Sequence, residues 1–325
     1  MFNFIKPRQY FYNLPNCYIN FFQNLFKKNY INYNYKLETF LSEKFQSNHS
    51  IIVSQNRIGI YLILNSLKKY SKKRKLIMSP FTISDIVNMV ILSGFTPVFC
   101  DVEINTGNIS FNKAKKLIDK DVVGIMITHL HGINANLEKF SNLCKHNRIY
   151  LLEDCAQSFG LKLQKKYTNH YSDFTIFSFG MAKNINGIYG GAILTNHKKY
   201  YLEIKKENNN WKIFNHKKLL FRSFFLLICN IILSKWFFSF ISFYIFKFGF
   251  KFKIKLINDL IRGEDLPSTK KNLPPFYKTR ISQLQCQIIL SQMKQFENFN
   301  KLRNSYAKIY YDHLKLVKDI KIPKY

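Results

Sequence analysis

A lysine, an aspartate and a serine in the middle of the chain have the residue types and the placement of a reactive site. Lys183 lies five residues after Ser178, beyond the apolar run "TIFSF" and before a glycine-rich turn. Asp154 ends the apolar run "IYLLED". If the fold brings the ends of these runs together, an amine, a carboxylate and a hydroxyl could act jointly on a carbonyl group.

A cofactor such as pyridoxal phosphate (PLP) needs these groups. Lys183 would supply the amine for a Schiff base, and Asp154 would keep the pyridine nitrogen protonated. Ser178 would bind the phosphate, together with the backbone N–H groups of a helix that opens at "SQNRIGIYLIL". Each residue also has a commoner structural explanation, because an acid after a strand often caps a helix and a lysine before a turn is usually solvated.

Residues 51–196 alternate between helix-length amphipathic stretches and short apolar runs, which predicts an α/β fold with a mostly parallel sheet covered on both faces. One predicted helix, "ISDIVNMVILSG", places Ile86, Val90 and Ile91 on one face. Ligands of such sheets bind at the carboxyl ends of the strands. The polar residues expected there are Asp101, His129, Glu153, Asp154, Ser178 and Lys183.

The composition is that of a folded, strongly basic protein. Hydrophobic residues make up 47% of the 325 residues, and 50 Lys and Arg against 19 Asp and Glu give a net charge of +31. This charge attracts nucleic acid, anionic lipid or phosphorylated small molecules without choosing between them. No recognition motif supports nucleic acid. Six cysteines without short paired spacing, and an N-terminus that does not fit a signal peptide, predict a cytoplasmic protein without a metal site.

The segment 219–246 is almost wholly apolar, but Lys235 lies near its middle and both flanks are basic. A single span would place one basic flank on the wrong side of the membrane. The pattern therefore favours a shallow helical hairpin in the inner leaflet over a span. A pair of core or dimer-interface helices stays open as the alternative.

Three stretches resemble the DegT/DnrJ/StrS family of sugar aminotransferases, whose fold is that of aspartate aminotransferase (fold type I). They are "SPFTISDIVNMVILSGFTPVFCDVEINTGNIS", "THLHGINANLEKFSNLCKHNRIYLLEDCAQSFG" and "SDFTIFSFGMAKNINGIYGGAILTN". The similarity covers about 50–196 and resumes at about 275–315. It implies a three-layer PLP-binding domain, with the site at the interface of a homodimer.

The resemblance implies roles for individual residues. Lys183 would carry the cofactor and move the proton, Asp154 would pair with the ring nitrogen, and Gln157 would approach the phenolic oxygen. Ser178 would bind the phosphate, and His129 would be structural. Gly190 and Gly191 match a turn that lets the backbone pass close to the lysine.

The chain departs from the family at several positions. Gln55, Asn56 and Arg57 replace the Ser-Gly-Thr of the phosphate-binding helix, with backbone donors and the charge of Arg57 left for the phosphate. Ile83 replaces the aromatic residue that stacks on the ring, with Phe81 nearby, and Lys278 replaces an asparagine contributed across the dimer.

Four segments are predicted. They are an N-terminal segment (1–50), the PLP-binding domain (51–200), the basic-flanked apolar insert (201–265) and a small C-terminal domain (266–325) that is short for the family.

The leading hypothesis is an aminotransferase that moves an amino group, from glutamate, to a nucleotide-linked keto-sugar for surface polysaccharide or lipopolysaccharide. An alternative is a catalytically degenerate, membrane-associated scaffold or partner subunit. Sugar dehydration is disfavoured, because relatives that dehydrate tend to lack the lysine.

Overall fold

A seven-stranded sheet forms the centre of the fold in the computed structural model, which describes residues 4–7, 31–255, 257–258, 268–318, 320 and 322. The spatial order is β1-β9-β8-β5-β4-β2-β3, and β6 and β7 form a separate small ribbon. The strands are β1 (His49–Val53), β2 (Lys75–Met78), β3 (Thr96–Phe99), β4 (Val122–Thr128), β5 (Tyr150–Asp154), β6 (Lys162–Leu163), β7 (Lys166–Tyr167), β8 (Phe174–Ser178) and β9 (Gly191–Thr195).

The sheet is mostly parallel, which confirms the predicted fold class. Strands β8, β5, β4, β2 and β3 pair in parallel, and β9 runs antiparallel between β1 and β8. The register places Thr128 beside Asp154 and Asp154 beside Ile176. The carboxyl ends of β4, β5 and β8 therefore meet at one edge, together with the first residue of β9.

Helices cover both faces of the sheet, because each strand presents apolar side chains to either side. One core cluster joins the sheet to α2, α3 and α6, and two others join its opposite face to α1, α4 and α5. The helices are α1 (Tyr33–Phe45), α2 (Asn56–Tyr70), α3 (Ser84–Leu92), α4 (Phe111–Lys116), α5 (Leu137–Asn147) and α6 (Lys198–Asn209).

The face predicted for α3 needs one correction. Ile86 and Val90 are buried, but Ile91 is 44% exposed and Met89 is buried in its place. The reason is the helical period, because positions 86, 89 and 90 fall on one face whereas position 91 lies a further 100° around the axis.

Beyond α6 the chain forms two short strands, two apolar helices and two further helices. They are β10 (Lys212–Ile213), α7 (His216–Ile232), α8 (Lys235–Lys251), β11 (Thr279–Arg280), α9 (Gln283–Gln292) and α10 (Phe296–Leu314). β10 pairs in parallel with β11, and α9 packs against α1 on the sheet side that carries α1. Cys17 and the predicted boundary at 265 lie outside the described residues, whereas the predicted boundary at 50 falls within β1.

Within the described residues, each helix taken singly is too short or too polar to cross a membrane. The segments Lys217–Ile232 and Lys235–Lys251 reach the length and apolar composition of a span only when they are taken together, and a bend of 63° separates them.

Candidate active site

A cavity of about 300 Å³ opens at the carboxyl edge of the sheet. The ends of β4, β5 and β8, the start of α2 and the turn between β8 and β9 form its walls. The seven residues to which the sequence assigned a catalytic or cofactor-binding role line this one cavity: Asn56, Arg57, Ile83, Asp154, Gln157, Ser178 and Lys183. Asp101, His129 and Glu153, also expected at this edge of the sheet, are not among its lining residues. The sheet topology thus brings together residues that are up to 127 positions apart in the chain.

Asp154 ends β5 and is almost completely buried at the base of the cavity. Its Oδ1 accepts hydrogen bonds from Asn56 Nδ2 (3.1 Å) and from the backbone N–H of Ala156 (3.0 Å). Burial raises the pKa of this carboxyl, and the two donors and the nearby Lys183 charge offset part of the rise. Because both donors reach Oδ1, a further donor such as a protonated pyridine nitrogen would use Oδ2.

Lys183 lies in the turn that leaves β8, held by a backbone hydrogen bond from its N–H to Gly180 O (3.0 Å). Its side chain is half-buried at the cavity wall, close enough to Asp154 to lower the pKa of that acid. Ser178, the last residue of β8, lines the same wall. The amine, the acid and the hydroxyl are therefore presented to one space.

Gln157 is oriented by the loop after β4. Its Oε1 accepts the backbone N–H of His131 (3.0 Å), and His131 holds a left-handed conformation (φ 56°) in that loop. Since the amide oxygen is engaged, the Gln157 NH₂ is the group left to donate into the cavity. An NH₂ donor suits a phenolic oxygen.

The N-terminus of α2 faces the cavity through Gln55, Asn56 and Arg57. The N-cap residue Gln55 does not cap this helix with its side chain, and the Asn56 side chain is hydrogen-bonded to Asp154 instead. The first backbone N–H groups of a helix are anion donors when no cap uses them. They are the groups that would hold a phosphate here.

The structure gives a different reason for a glycine at position 191 from the close approach to Lys183 that was expected for the Gly-Gly turn. A Cβ at Gly191 would lie 2.8 Å from Asn56 N, 2.9 Å from Gln55 C and 2.9 Å from Phe177 O. The close approach is therefore between β9 and the start of α2, and the lysine is not among the nearest atoms. This glycine lets the N-terminus of α2 reach the sheet edge.

Arg57 is tied to residues that sequence reasoning missed. Its guanidinium pairs with Asp85 of α3 and lies 2.8 Å from the Tyr277 hydroxyl, which in turn donates to Asp85 (2.7 Å). Lys270 also pairs with Asp85. The charge of Arg57 is thus shared with a carboxylate. No spacing signal could have found this cluster, because its members lie up to 220 residues apart.

Glu153, which was expected at this edge of the sheet, is fully buried beside His129. His129 Nε2 lies 3.0 Å from Glu153 Oε1, and His129 Nδ1 accepts the Ala135 N–H (3.3 Å). Burial acts to raise the pKa of Glu153, but the hydrogen bond and charge of His129, with hydroxyl donors such as Thr175, outweigh it and lower the pKa. This network holds the loop after β4 against β5, in agreement with a structural reading of His129.

Ile83 and Phe81 form the apolar lip of the cavity, and their side chains are 43% and 59% exposed. An apolar lip beside Asp154 can cover one face of a planar ring, although an aliphatic side chain gives no aromatic stacking. Taken together, the buried acid, the amine, the uncapped helix and the glycine-dependent close approach fit PLP. Lys278, in contrast, is exposed.

Known proteins resemble this chain in sequence over about half its length. A GDP-perosamine synthase of Escherichia coli O157:H7 is 31% identical over 170 residues, which are 52% of this chain and 46% of that protein. A UDP-4-amino-4,6-dideoxy-N-acetyl-beta-L-altrosamine transaminase of Helicobacter pylori is 27% identical over 169 residues, 52% and 45% of the two chains. The chain thus spans about half the length of the curated relatives it matches.

Solved structures share the fold. A Helicobacter pylori aminotransferase involved in the biosynthesis of pseudoaminic acid superposes with a TM-score of 0.69 at 19% identity, over 98% of this chain and 72% of that one. An E. coli GDP-4-keto-6-deoxy-D-mannose-3-dehydratase with bound hydrated PLP gives 0.68 at 18% identity, over 97% and 73%. The family model matches residues 23–211, and the chain belongs to the DegT/DnrJ/EryC1/StrS aminotransferase family.

Proposed function

We propose that this protein is a PLP-dependent aminotransferase that transfers an amino group, from glutamate, to a keto-sugar carried on a nucleotide. The observation that carries the proposal is the meeting of Lys183 and buried Asp154 at one cavity below an uncapped helix N-terminus. A scaffold needs neither a buried acid nor an amine beside it, since a buried carboxylate costs stability.

The residues divide the work by their chemistry. When bound, PLP draws the electron pair of the substrate's carbon–hydrogen bond into its ring. Asp154 would hold a proton on the ring nitrogen, and the Gln157 NH₂ would donate to the phenolic oxygen. The Lys183 amine would bind the cofactor carbonyl and, once displaced by the substrate's amine, would carry the proton to and from the reacting carbon. Ser178 and the α2 backbone would hold the phosphate.

The names of the relatives support a nucleotide-linked sugar as the substrate. The two curated relatives are named for a GDP-linked and a UDP-linked amino sugar. A net charge of +31 favours a nucleotide diphosphate over a neutral sugar. Amination on a nucleotide would serve surface polysaccharide or lipopolysaccharide assembly, in the cytoplasm at the inner face of the membrane. We also propose a homodimer, as the family resemblance implies.

The absorption spectrum of the purified protein tests the proposal. Wild type loaded with PLP should be yellow, should bleach with glutamate, and should retain the cofactor on Lys183 after borohydride reduction, as located by peptide mass spectrometry. Lys183→Ala should lose that adduct. Lys145→Ala, an exposed lysine of α5, is the matched control and should keep it.

Two outcomes contradict the proposal. A protein that takes up no PLP would favour a degenerate scaffold, in which the compensated charge of Arg57 no longer serves a phosphate. A protein that takes up PLP and glutamate but releases water from the sugar, without forming an amino sugar, would favour the dehydratase reaction.

A further inference from the structure

Helices α7 and α8 carry exposed apolar stripes. On α7, Phe221, Phe224, Ile228 and Ile231 are exposed at a spacing of three, four and three residues, which places them on one face. On α8 a second set of aromatic and aliphatic side chains is exposed: Trp236, Phe237, Phe240, Ile241, Tyr244, Ile245 and Phe248. A soluble protein rarely presents so many large apolar side chains to water on two consecutive helices.

The opposite face of α7 is packed against the rest of the protein. Leu219 and Leu226 are fully buried in a cluster with Ile188, Phe214 and Ile288. A span across a bilayer would expose these side chains to lipid and separate the helix from the domain. α7 therefore keeps one face on the protein and leaves the other face for a partner.

The charge around the stripes has one sign. Residues 208–258 contain no Asp or Glu. The basic residues of this range are Lys212, Lys217, Lys218, Arg222, Lys235, Lys247, Lys251, Lys253 and Lys255. Such a surface, apolar in the middle and basic at the margins, is complementary to anionic lipid headgroups above an acyl layer.

Lys235 decides how the helices would meet a bilayer. It begins α8 at the 63° bend, its side chain is exposed, and its Nζ lies 4.3 Å from the ring of Phe4. An insertion that led with the bend would carry this charge into the acyl core. With both helices parallel to the surface, Lys235 reaches the headgroups while the Trp236 and Phe240 rings lie at the interface.

We propose that the outer faces of α7 and α8 bind an anionic membrane surface, with both helices parallel to the bilayer plane. A second copy of this chain fits the surface less well. A symmetric interface places the same patch on both sides, so basic margins would meet basic margins with no carboxylate in the segment to compensate. This inference goes beyond the proposed reaction and does not depend on it.

Vesicle flotation of the full chain tests the proposal. Vesicles of equal parts phosphatidylglycerol and phosphatidylcholine should carry the protein upward, vesicles of phosphatidylcholine alone should carry far less, and ~1 M salt should weaken binding. Phe224→Asp with Trp236→Asp should lower the bound-to-free ratio by about tenfold or more. The control, Ile104→Asp with Leu302→Asp, changes two exposed apolar residues elsewhere and should bind as wild type does.

Charge variants make the test independent of folding around the apolar stripe. Lys247→Glu with Lys251→Glu should weaken flotation, whereas Lys139→Glu with Lys301→Glu, also exposed, should weaken it less. Equal loss in both pairs would mean that total charge alone drives binding and would overturn the proposal. A Phe224→Asp, Trp236→Asp protein that floats normally but loses a dimer in sedimentation would assign the surface to a second copy instead.

Discussion

The protonation of Asp154 depends on opposing effects of its surroundings. Burial acts against its charge, while Asn56, the Ala156 N–H and Lys183 act in its favour, and the pKa stays raised. From the ordinary value of 3.8 up to the raised value, the folded protein keeps a proton that the unfolded chain has released. The folded state therefore loses stability as the pH rises through that interval.

Asp154→Asn should separate stability from function. The amide keeps an oxygen for Asn56 and Ala156 but has no charge to bury, so the midpoint of thermal unfolding at neutral pH should rise by a few degrees, as about 1 kcal/mol gives a chain of this size. Aminotransferase activity should be lost. Calorimetry of the cofactor-free protein at several pH values checks this, and a variant less stable than wild type at neutral pH would contradict it.

Residue type and strand pattern together reached the site residues that end or follow strands, whereas Gln157 and Ile83 were reached through the family resemblance. Asp154, Ser178 and Lys183 could be placed on one cavity because parallel strands share an edge. The partners of Arg57 could not, since Asp85 and Tyr277 meet it only after α3 and the segment before β11 pack against α2. Charge pairs between distant segments leave no periodic signal.

The close approach of β9 to α2 fixes the position of the side of the cavity that α2 forms. Gly191→Ala would force a methyl group against three backbone atoms, which can yield only if α2 or β8 moves. We expect a loss of about 1–3 kcal/mol in the free energy of unfolding and weaker retention of PLP. Denaturant unfolding and cofactor titration measure the two effects.

Gly180→Ala is the matched control for that change. A Cβ at Gly180 would lie 3.8 Å from Ser178 Oγ and 3.9 Å from Lys183 Cγ, which are ordinary van der Waals distances. The turns that contain Gly180 and Gly190 both border the cavity. If Gly180→Ala and Gly191→Ala destabilise the protein equally, the crowding at α2 is not the reason that position 191 is a glycine.

The two faces of α7 should respond differently to truncation. Leu226→Ala removes a fully buried side chain and should cost about 2–5 kcal/mol, whereas Phe224→Ala, on the exposed face, should change stability by about 0.5 kcal/mol or less. Chemical denaturation without lipid gives both values. A larger loss at Phe224 would mean that the packed and exposed faces are exchanged.

Most helices and strands could be predicted from periodicity. Periodicity could not predict which side chains of the apolar segment 219–246 are buried and which are exposed. The run 219–246 has too few polar residues for a pattern to tell inward from outward positions. Only contacts such as those of Leu219 and Leu226 with Ile288 assign the faces. The exposed Ile91 is a different case, because the helical period itself places position 91 a further 100° around the axis from buried Val90.

The whole molecule has 50 basic and 19 acidic residues. The excess of positive charge causes net repulsion among the basic residues in the folded state. Screening should relieve part of this repulsion, so the unfolding midpoint should rise as sodium chloride increases from low ionic strength to about 0.15 M, where the Debye length is about 8 Å. Differential scanning calorimetry at fixed pH checks this. A midpoint that falls with salt would show that local ion pairs outweigh the net charge.

Ile188 and Tyr189 belong to two surfaces at once. They line the cavity, and they also pack in one apolar cluster with Leu219 and Leu226 of α7. The ring centroids of Tyr189 and Phe214, which precedes α7, lie 5.4 Å apart. A ligand in the cavity and a membrane bound to the outer face of α7 would therefore both lie next to this pair of residues. By thermodynamic reciprocity, any factor by which a nucleotide-sugar changes the affinity for vesicles equals the factor by which vesicles change the affinity for that nucleotide-sugar.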